Sequence, residues 1–80
     1  MNKSVKPHLF HILEECEFLV NKSENLSYSE FIKDQTLMRA FVRSLEIIGE
    51  AAKNIDSDFR AEHPEIPWKS MAGMRDKLYT

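Results

Sequence analysis

The sequence predicts an all-α protein, an antiparallel bundle of helices, and three observations favour this fold class. The 80 residues include only two glycines and three prolines, which leaves little of the turn chemistry that an all-β fold needs. Residues with high helix propensity, such as Glu, Lys, Leu and Ala, are frequent. Apolar residues also recur at helical spacing through long segments. A chain of this length is expected to form one small domain, spanning 1–80.

Charge and composition exclude several classes of protein. The net charge of −2 lacks the positive excess of a general nucleic-acid binder, although a local basic site can lie on an acidic protein. The single cysteine, Cys16, has no partner for a disulfide or for a cysteine-based zinc site. No segment approaches the roughly 20 apolar residues that span a membrane. We therefore expect a cytoplasmic protein that needs no cofactor or metal.

The first helix is predicted from about Pro7 to Lys22, because proline suits a first turn in which its missing N–H is harmless. Its apolar stripe is Leu9, Ile12, Leu13, Cys16, Leu19 and Val20. The glutamates that fall off this stripe are Glu14, Glu15 and Glu17. Phe10 and Phe18 widen the apolar surface, so this helix is expected to pack on more than one neighbour.

Two capping signals open the next helices. Ser27 and Glu30 fit a capping box at the start of a short helix that reaches about Ile32. Asp34 is predicted to cap the longest helix, from about Gln35 to Arg60. The apolar stripe of the longest helix is Met38, Phe41, Val42, Leu45, Ile48, Ala52, Ile55 and Phe59. The small residues Gly49, Ala51 and Ala52 indicate either tight helix packing or a dimer seam.

A third main helix is predicted from Trp68 to Thr80, with Pro67 at or near its first position. Gly73 weakens the middle of this helix, which suggests that another group packs against it. The segment carries no helix stop signal. One side of the long helix is therefore expected to lack a neighbour within these residues. Either a partner or a further part of the fold would pack against it.

Several polar residues have both a structural and a functional interpretation. His8 and His11 have a spacing compatible with a metal, but no third ligand is indicated, and His63 is expected to cap a helix. Glu46 and Glu50 form either a solvated flank or, for Glu50, a half-buried carboxylate that pairs with Arg75. Arg39 and Arg43 form either surface charge or part of a phosphate-binding face.

The last six residues carry the sharpest signal. Arg75 offers a planar guanidinium suited to phosphate. Asp76 lies four residues before position 80, so on a helix it could orient the side chain there. Arg75 and Thr80 lie about 140° apart around a helix and would flank a groove.

Three blocks of the sequence resemble the HepT-like proteins of the HEPN superfamily, in order and with matching spacing. They are Arg43-Ser44-Leu45-Glu46-Ile47-Ile48-Gly49-Glu50-Ala51-Ala52-Lys53, His63-Pro64-Glu65-Ile66-Pro67-Trp68 and Met71-Ala72-Gly73-Met74-Arg75-Asp76-Lys77-Leu78. The resemblance implies a helical bundle that forms a homodimer and cleaves RNA without a metal. It also implies the toxin of a toxin–antitoxin pair, whose antitoxin partner is a small nucleotidyltransferase.

The family motif is Arg, four to six residues, then His, often followed by x-Tyr. By this resemblance Arg75 and Asp76 are the catalytic residues, with Arg75 as the motif arginine and Asp76 as the polar residue after it. The motif arginine would hold the scissile phosphate, and the histidine would exchange a proton with the 2′-hydroxyl or the leaving oxygen.

This sequence departs from the motif at its second half. Thr80 occupies the closest-spaced histidine position, and a hydroxyl does not titrate near neutral pH. Tyr79 precedes that position and does not match the motif tyrosine. The family's C-terminal part is also expected to be lacking from these 80 residues, so we expect them to have little or no ribonuclease activity. The alternative is a non-enzymatic dimerisation module that binds a nucleotidyltransferase.

Overall fold

The computed structural model describes residues 5–73, and these residues confirm the all-α class. The five helices are α1 (Val5–Ser23), α2 (Tyr28–Lys33), α3 (Gln35–Lys53), α4 (Ser57–Glu62) and α5 (Trp68–Ala72), and this part of the chain contains no strand. None of these helices is both long and apolar enough to cross a bilayer.

Both predicted capping signals are confirmed. The Glu30 N–H donates to the Ser27 hydroxyl oxygen at 3.1 Å, and the Ser27 N–H donates to Glu30 Oε1 at 3.0 Å. This reciprocal pair is the capping box of α2. Asp34 caps α3, because its Oδ1 accepts a hydrogen bond from the Leu37 N–H at 3.0 Å.

The capping box predicts a pH dependence for α2. Hydrogen bonds from the Ser27 N–H and then from its hydroxyl lower the pKa of the Glu30 carboxyl below its ordinary value of 4.5. The stabilisation is therefore complete above the ordinary value and is lost as the pH falls through the lower folded-state pKa. An NMR titration should show the Ser27 amide shift following the Glu30 carboxyl. Glu30→Gln should make the Ser27 shift independent of pH, and an unchanged titration in that variant would contradict the assignment.

The prediction of one helix from Gln35 to Arg60 is wrong, because α3 ends at Lys53 and a separate α4 follows. The Asn54 side chain donates to the Glu50 carbonyl at 3.0 Å, which closes the end of α3. Asp56 then caps α4, since its Oδ1 accepts the Phe59 N–H at 2.8 Å. Arg60 Nε binds the Ile55 carbonyl at 2.9 Å and holds the turn between the two helices.

The third predicted helix is shorter in the described residues. Helix α5 begins at Trp68, as predicted, and Pro67 is its N-cap residue. Three main helices and one short helix were predicted, whereas the described residues form five, because α4 is separate from α3. Gly73 is the C-cap of α5, and the prediction for 74–80 lies outside the described residues.

The hydrophobic core joins the start of α1 to the loop after α3 and to α5. Val5 and Ile55 are fully buried, and Trp68 is 7% exposed. Partly buried residues pack against these three, namely Leu9, Ile12, Phe59 and Ile66. The small residues Gly49, Ala51 and Ala52 are buried, which agrees with tight packing of α3 against its neighbours. The core therefore fixes where α5 starts.

The apolar surface of α1 is wider than the face that packs on α3. Leu9, Ile12 and Leu19 of the predicted stripe are half-buried, but Leu13 and Val20 are 56% and 60% exposed. Cys16 is exposed as well. Conversely Glu15, which the sequence pattern placed off the stripe, is half-buried. The face that meets α3 is rotated toward Glu15 relative to the predicted stripe.

Candidate functional site

A polar groove of about 500 Å³ lies between α1 and α3. Helix α1 contributes His8, His11 and Glu15, and helix α3 with the residue after it contributes Arg43, Glu46, Ile47, Glu50, Ala51 and Asn54. The sequence presented these histidines, glutamates and the arginine as separate features. The structure brings them together because one side of α1 and one side of α3 face each other. Arg39 does not line this groove.

Carboxylates outnumber the arginine among the described residues that line the groove. They are Glu15, Glu46 and Glu50, beside the single arginine Arg43. Glu50 is exposed, which favours the solvated-flank interpretation of this residue over the half-buried one. Arg43 is also exposed beside these carboxylates, which favours the surface-charge interpretation of this residue.

Metal chemistry gains no support from the described part of the chain. Within it, no group of three or more His, Cys, Asp or Glu residues could hold a metal ion. His11 instead lies 3.7 Å from the Glu14 carboxylate on the same helix. His63 is the C-cap of α4, as predicted, with its N–H bonded to the Arg60 carbonyl at 3.1 Å.

One buried polar contact beneath the groove was missed by the sequence pattern. The Ser44 hydroxyl is 2% exposed and donates to Glu15 Oε1 at 2.6 Å. The contact joins α1 to α3 and explains why Glu15 faces inward. A serine within an apolar stripe, between Phe41 and Ile48, was the signal that could have revealed it.

Replacing Ser44 by Ala should destabilise the fold by about 1–3 kcal/mol, because Glu15 loses its donor while it stays half-buried. Urea unfolding followed by circular dichroism measures this change. In a Glu15→Ala background the same Ser44→Ala substitution should cost much less. Equal costs in both backgrounds would mean that the hydrogen bond contributes nothing.

Three ring side chains, those of Phe59, His63 and Trp68, lie close together at the start of α5. Helix α5 precedes the predicted catalytic residues in the sequence. The Trp68 Nε1–H donates to the His63 carbonyl at 2.9 Å. The ring of Phe59 packs near both residues, with its centroid 4.6 Å from that of the His63 ring and 6.1 Å from that of the Trp68 ring. These contacts, together with the burial of Trp68 in the core, fix the position of the start of α5.

The predicted catalytic residues Arg75 and Asp76 lie outside the described residues, as does Thr80. The pairing of Glu50 with Arg75 therefore stays a prediction. Arg75 follows α5 by three residues, so the described structure places the anchored start of α5 seven residues before the motif arginine.

Comparison with known proteins identifies a family over most of the chain. Residues 12–79 match the family described as "Ribonuclease HepT-like", a span that includes Arg75 and Asp76. No solved structure matches the chain.

Three relatives illustrate this similarity. A "Putative RNase" of Caldanaerobacter subterraneus is 58% identical over 76 residues, which are 95% of this chain and 68% of the relative. A "Probable ribonuclease HepT" of Thermococcus cleftensis is 46% identical over 98% of this chain and 71% of the relative. A "Putative RNase" of Methanocaldococcus jannaschii is 43% identical over 95% of this chain and 63% of the relative. The chain thus spans about two thirds of the length of these relatives, and it belongs to the HepT-like ribonuclease family.

Proposed function

We propose that this chain is a HepT-like toxin by descent. Toxins of this kind are metal-independent RNA endonucleases that pair with a nucleotidyltransferase antitoxin. The observation that carries this proposal is the family match through residue 79, which includes the Arg75-Asp76 half of the motif. The names of the relatives support RNA as the substrate class. The toxin role, the homodimer and the antitoxin partner rest on the resemblance of the three sequence blocks.

In the proposed chemistry Arg75 binds the scissile phosphate. Its guanidinium presents two parallel N–H donors to the non-bridging oxygens and offsets the charge that develops on them. Asp76, four residues before position 80, would orient the side chain there. A family histidine at that position moves the proton between the 2′-hydroxyl and the leaving oxygen. The polypeptide of these 80 residues has Thr80 there, so it binds RNA without providing this acid–base step.

The direct test is RNA cleavage by the purified 80-residue polypeptide in the presence of EDTA. We expect weak RNA binding that Arg75→Ala reduces, and little or no cleavage. Lys69→Ala is a matched control, because Lys69 is an exposed cation of α5 outside the motif. Cleavage that is lost in Arg75→Ala would contradict the proposed inactivity. Unchanged RNA binding in Arg75→Ala would contradict the phosphate role.

Thr80 also favours a second candidate function, a non-enzymatic module that binds the nucleotidyltransferase. A module of this kind needs the helical surface but no titrating group at position 80. Co-expression with the nucleotidyltransferase encoded beside a HepT-like gene tests it, with the complex measured by gel filtration. Absence of a complex under conditions in which the 80-residue chain is folded would exclude this candidate.

A further inference from the structure

The polar groove between α1 and α3 has the size and the lining of a small-molecule site. Its volume of about 500 Å³ lies within the range of about 300–1,000 Å³ that is usual for such sites. The buried Ala51 and the half-buried Ile47 of α3 give it an apolar wall. Helix α1 contributes His8, His11 and Glu15, whose spacing of three and four residues places them on one side of that helix. A flat ligand with an apolar face and a polar edge matches this lining.

Glu15 is the polar group of the groove whose orientation is best defined. Its side chain is half-buried, and its Oε1 accepts a hydrogen bond from the buried Ser44 hydroxyl at 2.6 Å. This bond restricts the carboxylate before any ligand arrives, which lowers the entropic cost of binding. A carboxylate accepts hydrogen bonds and donates none. It therefore selects a ligand whose edge carries N–H donors.

His11 gives a flat ligand a ring on which to stack. It is exposed and lies four residues before Glu15, about 6 Å along α1. Histidine is one of the side chains on which unpaired RNA bases stack, and the edge of a stacked base is then recognised by hydrogen bonds. The groove thus combines a stacking ring, an oriented acceptor and an apolar wall, which are the parts of a site for an unpaired base.

We propose that the groove binds one unpaired guanine base of the RNA substrate. Guanine presents two adjacent donors, the N1–H and the N2 amino group, which fit the acceptor oxygens of Glu15. Adenine and cytosine place an acceptor nitrogen beside their amino donor, and uracil has a carbonyl oxygen on each side of its single N–H. This inference rests on the proposed RNA substrate, but it concerns the choice of base and does not involve Arg75.

Binding of guanosine 5′-monophosphate (GMP) tests the site without RNA cleavage. In NMR titrations of the isotopically labelled 80-residue chain, GMP should shift the amide signals of residues 8–15 and 47–54 in a saturable way. Inosine 5′-monophosphate (IMP) has the same ribose and phosphate but lacks the N2 amino group, so it should bind about fivefold more weakly or worse. Equal affinity for the two nucleotides, or displacement of GMP by inorganic phosphate, would overturn the proposal, because the phosphate would then carry the binding.

Matched variants assign the contacts to Glu15 and His11. Glu15→Gln keeps an oxygen for the Ser44 hydroxyl but replaces the other oxygen with a donor, so GMP should lose its advantage over IMP. Glu17→Gln makes the same change of charge at an exposed residue of α1 outside the groove and should leave both affinities unchanged. His11→Ala should weaken GMP binding about fivefold or more, and His11→Phe should restore it, because a stacking ring is again present. Equal effects of the two glutamine variants, or no loss in His11→Ala, would contradict the assignment.

Short single-stranded RNAs connect the groove with the proposed substrate. An oligouridine with one central guanosine should bind about fivefold more tightly than oligouridine of the same length, and Glu15→Gln should remove this difference. If GMP bound in the groove but the two RNAs bound equally, the groove would serve a free nucleotide and the assignment to RNA would be wrong. A failure of the proposed phosphate role would appear separately, as RNA binding that Arg75→Ala does not change.

Discussion

Replacing Trp68 by Ala is expected to destabilise this fold by about 3–5 kcal/mol, the usual cost of truncating a large buried aromatic. Trp68 is 7% exposed and joins Val5 and Ile55 in the core. The substitution also leaves the His63 carbonyl without its 2.9 Å donor. A domain of this size has a free energy of unfolding of about 4–12 kcal/mol, so this one substitution removes a large part of it. Thermal unfolding followed by circular dichroism measures the loss.

Two further substitutions separate packing from hydrogen bonding at this position. Trp68→Phe keeps an aromatic ring but removes the indole N–H, so it should cost less than Trp68→Ala. Tyr28→Ala truncates an aromatic that is 79% exposed and should change the free energy of unfolding by less than about 0.5 kcal/mol. If Trp68→Ala were as stable as Tyr28→Ala, the core described around Val5, Ile55 and Trp68 would be wrong.

The starts of α2 and α3 were predictable because each depends on residues within four positions of one another. Ser27 with Glu30, and Asp34 with Leu37, form their capping bonds locally. Local sequence also identified Trp68 as the start of α5. The predicted continuation of α3 to Arg60 failed because an apolar stripe at helical spacing does not show a turn. Asp56 was a usable signal, since its short polar side chain favours caps over helix interiors.

The rotation of α1 was not predictable from its own sequence. Both Ile12 and Leu13 are apolar, and only the position of α3 decides which of them is covered. The Ser44 to Glu15 hydrogen bond joins residues 29 positions apart, so no local pattern contains it. The polar groove likewise depends on the pairing of α1 with α3. Sequence identified the chemistry-bearing residues one by one but not this grouping.

The predicted catalytic residues, Arg75 and Asp76, were identified by resemblance and not by physical patterning. Arg75 on its own is one of eleven basic residues in a chain of net charge −2. Only its place after the Ile-Ile-Gly-Glu-Ala and Pro-x-x-Pro-Trp blocks distinguishes it, and the family match over 12–79 includes the same position. The described structure contributes the anchored start of α5, through Trp68 and His63.

Replacing Thr80 by His is expected to raise RNA cleavage by about 10²-fold or more, because general acid–base catalysis contributes about 10²–10⁴-fold. This substitution completes the Arg-x(4)-His spacing that begins at Arg75. An imidazole with a pKa near 6.5 exchanges protons at neutral pH, whereas the threonine hydroxyl does not. Cleavage of a fluorescent RNA oligonucleotide in EDTA, measured from pH 5 to 9, gives both the rate and its pH dependence.

Controls at both ends of the motif decide whether any gain comes from the proposed chemistry. Thr80→Gln provides a polar side chain that does not titrate, so it should cleave no faster than the unchanged chain. Adding Arg75→Ala to Thr80→His should remove the gain and also weaken RNA binding, since the phosphate loses its guanidinium. The pH profile of Thr80→His should change near the imidazole pKa, and that of Thr80→Gln should not. Equal cleavage by the His and Gln variants would exclude position 80 as the site of the acid–base group. If RNA binding still depended on Arg75 in that case, the role of Arg75 in binding phosphate would stand.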